Sequence, residues 1–128
     1  GLGLRRGAVA STVAHDSHNL VLAGVDASDL AAAGEALREC GGGLAVAVDG
    51  TVTTLPLRLA GLMSDRSLPE VVGDFEMILA AVRQTGTPLE NPFMALSFLS
   101  LPVIPNLKIT DRGLVDVNRF EFVPLEIQ

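Results

Sequence analysis

Tryptophan and tyrosine are missing from this 128-residue sequence, cysteine occurs once and histidine twice. Each scarcity closes off a class of function. Five Phe are the only large aromatics, and the basic residues do not cluster beyond Arg5-Arg6. Nucleic-acid binding wants a basic stripe and stacking platforms, so it is disfavoured, the more so at a net charge of −6. The same shortage speaks against a surface helix for anionic membranes. A lone Cys40 excludes an internal disulfide and a cysteine-based zinc site. One unpaired thiol fits a reducing cytoplasm. No run approaches the ~18 uninterrupted apolar residues of a membrane span, and no signal-peptide pattern is present.

What is there is apolar: 48% of residues are hydrophobic, and the mean hydropathy is +0.43. The length supports a single domain, residues 1–128, with one core. The apolar excess predicts a core plus a contiguous exposed patch that docks on a larger body. The sequence starts Gly1-Leu2-Gly3-Leu4, without an initiator Met and inside what reads as structured sequence. That suggests a piece of a longer chain.

Patterning predicts an α+β fold, a mostly antiparallel sheet of about six strands covered by two or three helices. Gly7–Val13 and Leu20–Val25 read as strands. Asp26 stands where an N-cap belongs, before a helix over Ala27–Cys40 whose inner face is Leu30, Ala33, Gly34 and Leu37. Gly34 lowers helix propensity and permits close packing against a sheet. Gly41-Gly42-Gly43 follows a helix and precedes a strand, so it reads as a cap and turn, not a phosphate loop. Leu44–Val48 and Thr51–Leu55 form a hairpin across the type I′ signal Asp49-Gly50. A second helix starts near Ser67, with Pro69 in its first turn and Glu70 completing a capping box, and ends at Gly86. Glu90–Leu101 reads as a third helix, with Asn91 capping and Pro92 opening it, and Pro102 to Pro105 breaks regular structure. Three last strands cover Leu107–Thr110, Leu114–Val117 and Phe120–Leu125.

The densest polar segment is Ala10-Ser11-Thr12-Val13-Ala14-His15-Asp16-Ser17-His18-Asn19, which holds both histidines. Two imidazoles and a carboxylate are metal-ligand types, yet too few for a closed site. In an extended chain His15 and Ser17 would face one way and Asp16 and His18 the other. Two readings of His15, Asp16, Ser17, His18 and Asn19 stay open. Their side chains satisfy the backbone of a buried turn, or they serve an active site shared with groups from elsewhere. Either way the run is predicted to form a turn at one end of the sheet, with at least one imidazole at a surface or cleft. Met63, Ser64, Phe93 and Met94 are either core packing or the lining of an interface to another domain. No Gly-x-Ser-x-Gly elbow is present, and Cys40 at a helix C-terminus reads as structural.

Several long stretches resemble one family in order. They are Gly7 to Asn19, Ala60 to Asp65, Asn91 to Pro105, Leu107 to Val117 and Phe120 to Leu125. The family is the adenine deaminases, metal-dependent hydrolases much longer than this chain, and the resemblance is to their C-terminal region. Arg58 departs from it, standing where a second proline of a Leu-Pro-Leu-Pro pattern is expected. The resemblance implies a C-terminal accessory domain of an enzyme that hydrolyses adenine to hypoxanthine and ammonia. It implies a divalent metal (manganese, iron or zinc) on a (β/α)₈ barrel, with that barrel as this domain's partner. It also implies a cytoplasmic homo-oligomer. The barrel's His-x-His ligands are not in this sequence, so no metal, cofactor or catalytic residue is assigned to it, and the chain alone is predicted inactive. The competing expectation is an independent small-molecule-binding or oligomerisation module without purine chemistry.

Overall fold

A computed structural model describes residues 1–126. The order of elements is β1 (Ala8–Ser11), β2 (Val21–Gly24), α1 (Ala27–Cys40), β3 (Gly43–Val48), β4 (Thr51–Pro56), α2 (Leu68–Gln84), α3 (Pro92–Ser97), β5 (Leu107–Thr110), β6 (Gly113–Asp116) and β7 (Glu121–Val123). The fold is α+β and every strand pairing is antiparallel. The strands divide between two sheets, ordered β2-β1-β3-β4 and β5-β6-β7, where the pattern predicted one. Strand propensity marks the segments but not their partners. β5 to β7 follow the proline-rich break and pair only with their chain neighbours across short turns.

The larger sheet is covered on both faces, and the sequence of its central strands says how. β1 reads Ala-Val-Ala-Ser and β3 reads Gly-Leu-Ala-Val-Ala-Val, with every residue buried. Side chains alternate across a strand, so the alanines collect on one face and the larger residues on the other. Ala8, Ala10, Ala45 and Ala47 pack with Ala33 and Leu37 of α1. Val9, Leu44, Val46 and Val48 pack with Ile78, Ala81 and Val82 of α2 and with Phe93 and Leu96 of α3. α1 rests close on the alanine face: a Cβ on Gly34 would lie 3.2 Å from the Leu22 side chain.

Local signals place the ends. Gly41 ends α1 in the left-handed conformation, φ +84°, and Asp49 and Gly50, at φ +51° and +79°, form the hairpin turn. Asp26 occupies the N-cap position of α1 without a side-chain capping bond. Asp29 in the first turn is the carboxylate that is used. It is buried and accepts the N–H of Asp49 at 3.2 Å and of Gly50 at 3.0 Å, tying α1 to the hairpin. At α2, Glu70 accepts the N–H and hydroxyl of Ser67 at 3.0 and 2.6 Å, as the capping box predicts. α3 is shorter than Glu90–Leu101. Asn91 caps it through Phe93 N, and after Ser97 the chain tightens into bonds from Phe98, Leu99 and Leu101 to carbonyls three residues back.

Candidate functional site: the turn between β1 and β2

Thr12 fixes the start of the turn. Its N–H bonds to the Gly43 carbonyl at 3.0 Å, and its hydroxyl donates to Gly61 O at 2.6 Å and accepts from Gly43 N at 2.8 Å. Ala14 is then fully buried, and His18 N bonds back to Ala14 O at 2.8 Å. His15 is gripped by its backbone: its N–H reaches Ser97 O at 3.0 Å and its carbonyl accepts the Ser100 hydroxyl at 3.4 Å. The turn is thus shaped by backbone and hydroxyl bonds, and the side chains of His15, Asp16, Ser17 and His18 are all exposed at one end of the larger sheet. The extended-chain alternation does not apply here. The two imidazoles stand nearly perpendicular with centroids 6.5 Å apart, and His15 also meets the Phe98 ring at 5.0 Å.

The run opens onto three different hollows. His15 borders a cleft of about 300 Å³ with Ser11, Val13, Leu44, Leu57, Phe75, Asn91, Phe93, Met94 and Ser97. Most of its polar groups are already engaged: Ser11 Oγ bonds Val13 O and accepts Val13 N, and Ser97 Oγ bonds Met94 O. Asn91 Oδ1 accepts Phe93 N at 3.1 Å, which leaves its Nδ2 hydrogens for the cleft. An imidazole and an amide over apolar walls can hold a small, flat, mostly apolar group in one orientation. His18 borders a second hollow, of about 290 Å³, with Thr12, Arg38 and Gly61. Asn19 borders a third beside Leu20 and Ser100. Asp16 makes no hydrogen bond or ion pair with His18 among the described residues.

Among the described residues no three His, Cys, Asp or Glu side chains gather closely enough to hold a metal. Two imidazoles are half of what a closed zinc site takes, so these residues do not fit a resident ion. The proposed interface residues separate. Met94 and Met63 are 64% and 62% exposed, whereas Phe93 at 6% is part of the core. Ser64 is spent on its own loop, accepting Arg66 N at 3.1 Å. Asn91, Asn19's neighbour Ser100 and Asp29 were not singled out by sequence reasoning as groups that organise a site. Asn91 announced only a helix cap, and the other two act through residues distant in the chain. No helix of the described residues is long and apolar enough to cross a membrane.

The chain is similar throughout to known proteins. The family model described as adenine deaminase C-terminal domain matches residues 1–121. Adenine deaminase 2 of Carboxydothermus hydrogenoformans is 58% identical over 99% of this chain and 23% of its own length. The adenine deaminase of Oleidesulfovibrio alaskensis is 55% identical over 98% of this chain and 22% of its own. That of Leuconostoc mesenteroides is 46% identical over 98% and 23%. This chain therefore spans less than a quarter of the curated relatives it matches, and it belongs to the family of adenine deaminase C-terminal domains.

Proposed function

We propose that residues 1–128 form one accessory domain of a longer enzyme that hydrolyses adenine to hypoxanthine and ammonia. The observation that carries this is the near-complete match of this chain to a fifth or so of proteins named adenine deaminase. The remaining part of such a chain supplies the catalytic barrel and the divalent metal (manganese, iron or zinc). This domain supplies neither. Its contribution is the cleft beside His15, which borders the substrate when the barrel docks. An imidazole held from its backbone, with its ring exposed on a cleft that Asn91 also lines, supports contact with a ligand over bracing of the fold.

Two measurements test the reading. The 128-residue chain, supplied with iron, manganese or zinc, converts no adenine above the metal-only background, followed by ultraviolet absorbance. In the longer chain, His15→Ala lowers turnover by ~10²-fold or more, the scale of a group that contacts the reaction, with little change in melting temperature. Turnover within about twofold for both His15→Ala and His18→Ala, well under the ~10²-fold of such a group, rejects the active-site role of this turn. A longer chain without adenine deaminase activity rejects the enzyme assignment.

A further inference from the structure

The larger sheet ends on one side at β2, and that edge is bare. Val25 N bonds Gly7 O at 2.9 Å, and Thr12 N bonds Gly43 O at 3.0 Å. Opposed residues in an antiparallel ladder alternate between bonding and non-bonding pairs. The register then assigns β1–β2 bonds to Val9 with Ala23 and Ser11 with Val21. The N–H and C=O groups of Leu22 and Gly24 point away from the sheet. Among the described residues nothing else bonds to either. Exposed edges are usually blunted by charge, proline or a bulge. Val21-Leu22-Ala23-Gly24 has none of these. The opposite edge, β4, carries threonines and closes with Pro56, which has no N–H.

Two hollows lie along this edge. One, of about 290 Å³, touches Leu20, Val21 and Leu22; the other, of about 420 Å³, touches Ala23, Gly24 and Val25. A hollow on a sheet face would touch alternate residues. These touch consecutive ones, so they open on the edge itself. Leu99 lines both; Leu2 and Leu4 line the larger and Ile109 the smaller.

We infer that β2 receives a fifth strand: an extended segment of about four residues, apolar at alternate positions, from the catalytic part of the longer chain. Only a backbone offers donors and acceptors at the spacing of Leu22 and Gly24. Leu2, Leu4, Leu99 and Ile109 beside the edge offer apolar surface for the alternate side chains of such a strand. The relatives provide the source, since more than three-quarters of their length lies outside the matched region. The inference rests on the proposed membership of a longer deaminase chain.

Residue-resolved deuterium exchange on that longer chain tests it. The outward N–H groups of Val52 and Thr54 on β4 serve as the internal control. Leu22 and Gly24 should exchange ~10²-fold or more slowly than these controls, at rates like those of the sheet centre. Exchange at both edges within a few-fold overturns the inference. So does protection that disappears on dilution together with a dimer, because the occupant is then a second copy. Adenine turnover measured on the same sample separates the outcomes. Fast exchange at β2 in an active deaminase defeats the strand and leaves the function standing. Slow exchange in an inactive protein defeats the function and leaves the strand.

Discussion

The two sheets of this domain are built on different terms. In the larger one, every residue of β1 and β3 is buried, with helices on both faces. In the smaller one, Lys108 is the only buried strand residue, and Leu107, Ile109 and Phe122 are more than half exposed. The first sheet is held by side chains brought together from across the sequence. The second is held by ladder bonds between chain neighbours and is tied to the rest through the Ile109 N–H on the Leu99 carbonyl at 3.0 Å. Three short strands with a hydrophobic face are near the minimum for a stable sheet. The comparison teaches that the apolar excess of this sequence has two destinations: a core already closed, and a surface still open.

Truncating the closed core should cost most. Ile78 is fully buried among the valines of β3, and Ile78→Ala should remove about 2–5 kcal/mol. Ile109, 62% exposed on the small sheet, should change stability by less than ~0.5 kcal/mol as Ile109→Ala. Urea titration of the two variants reads both. Equal losses would erase the distinction between the sheets.

Next comes the polar link of the larger sheet. Asp29→Ala leaves the N–H groups of Asp49 and Gly50 without their acceptor and should cost about 1–3 kcal/mol. The same urea titration measures it. A variant as stable as the parent would show that water takes the place of the carboxylate.

The smallest effect is at the start of α2. The Ser67 hydroxyl, and then its backbone N–H, hold the Glu70 carboxyl below the ordinary glutamate range. The lowered value belongs to the folded state. The contribution is therefore present above the ordinary glutamate pKa of ~4.3 and is lost as pH falls through the lower, folded value. Glu70→Gln should melt slightly below the parent at neutral pH, and the gap should close as pH falls below the ordinary glutamate range around ~4.3. A gap that persists in acid would locate the effect elsewhere than in the charge.

Much of this was legible in the sequence because the signals are local. The bounds of α1, the Asp49-Gly50 turn and the Ser67–Glu70 box depend on residues within four positions of one another. The polar turn was legible too, since turn formers separate two strand-like segments. The division into two sheets was not, because strand patterning carries no information on partners. The cleft was not, because Asn91 and His15 come to line one hollow only after α3 packs against the sheet. The sequence leaves Phe93 open between core and interface because an aromatic just inside a helix start looks the same whether it turns inward or outward. Asp29 was missed because its partners lie 20 and 21 residues away.

The alanine layer under α1 has one more consequence. Methyl groups from the sheet meet a helix on which even a Cβ at Gly34 would crowd the Leu22 side chain at 3.2 Å, so the spacing of helix and sheet is set by the smallest side chains available. That face works as a gauge. A larger residue at Ala10 or Ala45 meets methyl groups and a single fully buried large side chain, Leu37, and would lift the helix, whereas on the valine face Ile78, Phe93 and Leu96 can exchange bulk among themselves. Anyone redesigning this domain would find one side adjustable and the other fixed in thickness. The fixed side is the one that sets where β2 and its bare edge stand.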